Sequence, residues 1–170
     1  MPPLPAAGDN AATQTEPSTA ILIVRIATAD DEAAAKLLAR RTFEELRHAY
    51  KPKDSAAAAS SPGIRIVAET DRRIVGTVRY EIEAQKLHLR ELAVEACHRC
   101  TGVGRALVEH CSRIATSAGL RSLSLFTIKE TGNVAFFERL RFRIVREEPA
   151  AWAVSACGDD LVEVYLERGV

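Results

Sequence analysis

No run of apolar residues approaches the roughly 20 needed to span a bilayer, and neither sign of charge is in excess. Lys plus Arg and Asp plus Glu each number 23 in the 170 residues, a formal net charge of +0. A general nucleic-acid binder carries a basic surplus, so that class is not expected. Residues 1–20 hold no Lys or Arg and no apolar core, so no secretory signal is expected there. Their Pro, Ala and Thr content is that of a disordered segment. With nothing pointing to export or to a membrane, the expected setting is the cytoplasm, with residues 21–170 forming one domain. The four cysteines (Cys97, Cys100, Cys111 and Cys157) are read as thiols, because a cytoplasmic chain of this size does not need disulfides. No internal repeat is visible.

What is present is an ordinary globular composition, 47% hydrophobic and 27% charged, enough to bury a core. A first strand is expected over 21–26. Thr28 stands three residues before Asp31 as a helix-start signal, with Ala34, Leu37 and Leu38 on one face. Phe43 and Leu46 suggest a second helical stretch, and residues 51–63 read as a loop. Strands follow over 64–69 and 74–82 around a tight turn at 71–73. In a third, 86–94, apolar residues sit at Leu87 and Leu89 and then switch phase to Leu92 and Val94. Side chains alternate strictly in a regular strand, so the switch predicts a β-bulge between Arg90 and Leu92.

The clearest helix comes next: Val103, Ala106, Leu107, Cys111, Ile114, Ala115 and Ala118 share one face, and Gly119 stands where a left-handed cap is expected. A strand over 120–128, a short helix over 133–140 and strands over 142–145 and 161–166 complete the chain. Strands and helices in this order predict a mixed α/β sheet with flanking helices rather than a doubly wound fold.

The strand at 86–94 runs through a short loop into a helix that opens at Gly102 and Gly104. Such a turn leaves backbone N–H groups unpaired, and the helix dipole adds partial positive charge that favours a phosphate. A tight turn with close helix packing accounts for two glycines equally well. No Lys-Ser/Thr follows them and a third glycine is missing, so neither a Walker A loop nor a dinucleotide fingerprint fits.

Arg99-x-x-Gly102-x-Gly104, preceded by Leu92-Ala93-Val94 and followed by Arg105-Ala106-Leu107-Val108, resembles the signature of the GNAT superfamily of N-acetyltransferases. Asn133-Val-Ala-Phe-Phe-Glu-Arg-Leu-Arg-Phe142 is similar to a second family motif. The resemblance covers about residues 21–167 and implies the GNAT fold, a mixed sheet of about six to seven strands with a bulged central strand. It also implies an acyltransferase that moves an acetyl group from acetyl-CoA, as co-substrate, to a primary amine by direct attack. The backbone of Arg99, Cys100, Thr101, Gly102, Val103 and Gly104, with Arg105 following, would bind the CoA pyrophosphate. Val94 would meet the pantetheine arm, and the N–H of Leu92 would face the thioester oxygen, where a pre-aimed donor is worth most. Asn133 would contact the cofactor, or cap its helix. Phe137 matches a position where many members carry a Tyr beside the CoA sulfur, so the proton donor is left open, with Tyr80 and Tyr165 as candidates. Arg141 replaces the family's Gly before the final Phe.

For the base, His88 matches a glutamate position of some members, and its ordinary pKa of about 6.5 needs little tuning; Glu91, in the bulge, is the other candidate. Both are also readable as plain strand residues. Cys97-His98-Arg99-Cys100 raises zinc and redox readings, but no second Cys/His pair stands at finger spacing and the segment overlaps the phosphate turn, so no metal is expected. The acceptor, a small-molecule amine by preference, would be chosen by residues 31–63 and the last strands; homodimers are common in the family. The competing reading is a regulatory protein that binds acyl-CoA on the same fold without catalysis.

Overall fold

Strand alternation decides which residues of this chain meet each other. The computed structural model describes residues 21–53, 63–155 and 157–170. The disorder expected for residues 1–20 lies outside them, as does most of the 51–63 loop. In chain order the elements are β1 (Ile23–Ile26), α1 (Asp31–Glu45), β2 (Tyr50–Pro52), β3 (Ile64–Thr70), β4 (Arg73–Glu83), β5 (Lys86–Val94), α2 (Val103–Ser117), β6 (Ser122–Ile128), α3 (Val134–Arg139), β7 (Arg143–Pro149), β8 (Ala153–Ser155) and β9 (Val162–Gly169).

Seven strands form one sheet in the order β1-β3-β4-β5-β6-β9-β7. Every neighbouring pair is antiparallel except β5 and β6, which run parallel with α2 as their crossover. Its mixed character and strand number match the expectation. Two elements were not anticipated: β2 and β8 pair into a separate two-stranded ribbon. The expected second helical stretch is instead the end of α1, which continues through Phe43 because nothing between Leu38 and Phe43 breaks it, and a short 3₁₀ turn closes it over Leu46–His48. At its start, Asp31 accepts from the Thr28 amide at 2.7 Å and from Arg25 at 2.6 Å, and these bonds hold its carboxyl well below the usual range.

One sheet face carries Ile66, Ala68, Val78, Tyr80, Leu87, Leu89, Leu123, Leu125, Val164 and Leu166, and α2 covers it with Val103, Leu107, Val108, Cys111 and Ala115. Gly119 caps α2 in the left-handed conformation at φ 67°, as expected. Ala118, expected on the buried face, is exposed, while Val108 is buried in its stead. α1 packs against β4 and β5 on the opposite face.

α2 reaches the sheet most closely at Gly76. A Cβ there would lie 2.7 Å from Val103 Cγ1 and 3.0 Å from Leu107 Cδ1, so the first turn of α2 sits where only glycine allows it. Gly76→Ala should therefore destabilise the fold by about 1–3 kcal/mol, read from urea denaturation midpoints, because overpacking forces the helix outward.

Candidate functional site

The site is built on an extra residue in β5. Thr77 is matched to Ala93 and Arg79 to Arg90, so two β5 residues, Glu91 and Leu92, oppose the single β4 residue Val78 between those points. The bulge falls where the leucine phase switch places it, and Glu91 takes φ 51°. Its carboxylate does not face the cleft. It lies 3.2 Å from Arg65 and 3.5 Å from Arg79, both buried on the α1 face. Glu32 of α1 pairs with the same arginines at 3.3 and 3.7 Å. Arg65 also donates to Thr77 Oγ1 at 3.2 Å, and Thr77 to the Ile66 carbonyl at 3.1 Å. Two cations and two anions thus neutralise each other beneath α1, and the bulge is tied to that cluster. Of the two base candidates, Glu91 is therefore engaged through Oε2 with two guanidiniums on the α1 side, a placement that suits a structural role.

Past the bulge, the parallel pairing of β5 with β6 is already lost. Only Lys86, Leu87 and His88 are matched to β6, opposite Ser122, Leu123 and Ser124. From Leu89 onward the two strands diverge, and Leu92 and Val94 stand on the diverging edge. Leu92 has no register partner on β4 either, whereas Val94 is matched to Gly76.

The loop beyond Val94 is a 3₁₀ turn over Ala96–His98 that delivers the chain to α2. Cys100 and Gly102 take left-handed conformations, at φ 62° and 94°. Alternation of this kind turns successive N–H groups into a concave, anion-binding nest. The Ala106 N–H donates to the Gly102 carbonyl, the first rung of the helix; among the described residues, the amides from Cys100 through Arg105 make no such bond. Arg99 departs from expectation twice. Its amide is spent on the Ala96 carbonyl, so the cradle begins one residue later. Its side chain bonds the Val94 carbonyl at 3.1 Å and Glu45 at 2.6 Å, locking the turn to the end of α1. Thr101 is held by its hydroxyl on the His98 carbonyl at 2.7 Å, and Arg105 is exposed on the first turn of α2.

Gly104 faces an aromatic ring. A Cβ on Gly104 would stand 3.1 Å from Phe136 Cζ and 3.7 Å from Val94 Cγ2. Phe137, which matches the family's Tyr position, points into the core, edge-on to Phe142, and it is its neighbour Phe136 that lies beside the cradle. Asn133 occupies the N-cap position of α3 without making a side-chain cap bond. Arg141 keeps the left-handed conformation, φ 68°, that the family's Gly would adopt freely.

His88 is 9% exposed, at the last matched position before the strands part. Its Nδ1 lies 3.0 Å from Ser124 Oγ, and its ring stacks on Phe126 at 5.8 Å. Burial, with Arg90 nearby, lowers its pKa, so the imidazole is neutral at pH 7. Tyr80 is buried on the α2 face. Tyr165 donates to Glu163 at 2.6 Å, a bond that pushes its pKa up to about 12 and commits its proton. Near the phosphate turn, Glu95, Cys97 and His98 bring ligand atoms within 4.8 Å of one another, the group best placed to hold a metal among the described residues; Cys100 is not part of it.

Comparison with known proteins places this geometry in context. The model of the acetyltransferase (GNAT) family matches residues 29–142. The ribosomal-protein-S18-alanine N-acetyltransferase from Escherichia coli superposes with a TM-score of 0.72 at 17% identity, covering 88% of this chain and 94% of that one. An acetyltransferase from Bacillus anthracis str. Ames, named for streptothricin and crystallised with acetyl coenzyme A, gives 0.66 at 13% identity, covering 88% and 100%. An aminoglycoside 6'-N-acetyltransferase complexed with coenzyme A gives 0.65 at 18%, covering 86% and 96%.

Because Glu91 holds the bulge through two buried cations, Glu91→Gln should cost about 2–4 kcal/mol in urea denaturation. Glu91→Asp, which keeps the charge, should recover part of that loss.

Proposed function

The chain belongs to the GNAT acetyltransferase family, and on that premise we propose that it transfers an acetyl group from acetyl-CoA to a primary amine by direct attack in a ternary complex. The observation that carries this reading is the joint placement of two backbone features on one strand and loop: the parting of β5 from β6 at Leu89 and the nest between Cys100 and Arg105. One suits a thioester arm lying between strands, the other a pyrophosphate at a helix N-terminus. Their order along β5 and its loop puts the thioester end beside the bulge.

In this reading the Leu92 N–H donates to the thioester oxygen as it gains charge, in a position that pairing does not consume. Val94 holds the pantetheine arm, and Gly104 lets the phosphate approach the helix backbone. His88 removes a proton from the attacking amine: with Nδ1–H donating to Ser124, the Nε2 lone pair is available. No dedicated acid is assigned, since Phe137 has no proton to give and a thiol of pKa about 8.5 leaves readily as thiolate.

The test incubates the full chain with acetyl-CoA and a broad amine panel while thiol release is followed. Turnover of at least one amine is expected. Calorimetric binding of acetyl-CoA without turnover of any amine would move the protein to the regulatory reading. Gly104→Asp, which adds a carboxylate to the first turn of α2 against Phe136, should weaken acetyl-CoA binding by about 100-fold.

The pH dependence has a definite sign. The active His88 is neutral, and burial lowers its pKa, so kcat should fall only as pH drops through a limb lying below about 6.5. His88→Gln should lower kcat by about 100-fold and abolish that limb, with little change in the KM for acetyl-CoA.

A further inference from the structure

On the sheet face opposite α2, β9 carries a buried carboxylate that no cation pairs with among the described residues. Glu163 is 6% exposed. Its Oε1 accepts from Trp152 Nε1 at 2.9 Å and its Oε2 from the Tyr165 hydroxyl at 2.6 Å, both neutral donors. Among the described residues, no Lys, Arg or His nitrogen forms an ion pair with it. Arg146, whose guanidinium stands 4.0 Å above the Tyr165 ring, pairs with Glu148 at 3.4 Å instead. Glu148 is matched to Glu163 across β7 and β9, so this corner holds two carboxylates and one guanidinium. A buried carboxylate is costly unless paired, and each of its oxygens keeps a second lone pair to offer.

What surrounds Glu163 suits an organic cation. Trp152, 40% exposed, stands edge-on to Tyr50 at 5.7 Å and forms one wall on the β2–β8 ribbon. Phe126, 38% exposed, forms the floor. Aromatic faces beside a carboxylate attract an ammonium by charge and by cation–π contact together. The floor also leads to the reaction centre: His88, Phe126 and Tyr165 stand in a row with ring centroids 5.8 and 6.0 Å apart, so the two ends lie within about 12 Å of each other.

We propose that the acceptor carries a second cationic group besides the amine that is acetylated, and that Glu163, framed by Trp152, Tyr165 and Phe126, receives it. The substrate class is then a di- or polycationic amine several bonds long. This rests on the amine acetylation proposed above, and the two readings fail separately.

Trp152 is the chain's single tryptophan, so intrinsic fluorescence reports on this corner alone. Putrescine and spermidine, titrated into the full chain without acetyl-CoA, should change that signal saturably. The matched monocation n-butylamine should not, and Glu163→Gln, with its fold checked by circular dichroism, should lose the response. In thiol-release assays the polyamines should show kcat/KM about 100-fold above n-butylamine, with that advantage lost through KM in Glu163→Gln. An equal response to butylamine and putrescine, no response to either polycation up to about 10 mM, or an unchanged response in Glu163→Gln would overturn the proposal. Absence of thiol release with every amine would instead count against the acetylation reading, and the fluorescence titration would still decide whether Glu163 takes a cation.

Discussion

The left-handed residue Glu91 and the pair of buried arginines that grip it govern most of what this fold can do. An inserted residue in a central strand is unpaired and strained, and it persists only where its surroundings over-determine it. Here Arg65 and Arg79 supply that determination from β3 and β4, with Glu32 closing the cluster from α1. Were β5 a regular strand with the same residues, Leu92 and Val94 would fall on the face opposite Leu87 and Leu89, and one of the two pairs would lose its place under α2. The same bulge follows directly on the point where β5 parts from β6, whose shared register ends at His88.

Two ties carry that geometry outward. Gly76 lets Val103 and Leu107 settle onto β4, so the start of α2 is set by the strand beside the bulge. Arg99 reaches from the phosphate turn to both Val94 and Glu45, joining the end of β5, the turn and the end of α1. The side of the molecule suited to a phosphate and the side suited to an acceptor therefore share supports. A change in α1 is felt at the turn through Glu45 and at the bulge through Glu32.

Local pattern made some of this legible and left the rest hidden for definite reasons. The leucine phase in β5 forces an extra residue, and the apolar face of α2 with Gly119 at its end marks a helix and its cap; both are short-range signals. The strands β2 and β8 are three residues each and pair across the chain, so neither has enough alternation to read. In α3, a six-residue helix, Phe136 and Phe137 are equally apolar neighbours, and only the packing of Phe142 and the proximity of Gly104 decide which one turns inward. The partners of Glu91 stand on other strands, with Arg65 26 residues away, so its commitment to them leaves no trace beside it in the sequence. Membership of the family was legible from the glycine turn in its setting, whereas the row of rings from His88 to Tyr165 needed the register of β6 and β9.

Glu91 and Glu163 show why residue type alone could not assign the carboxylates. Each lies on a strand of the central sheet, and each makes two short polar contacts. Glu91 meets two guanidiniums and is electrically complete, so its work is to hold the backbone. Glu163 meets an indole and a phenol, which satisfy hydrogen bonds but leave the charge unmatched. Full pairing favours a structural role, because nothing from solution can improve on partners already in place. An unmatched buried charge at the edge of an open aromatic floor has a pairing still to make, and an incoming cation supplies it.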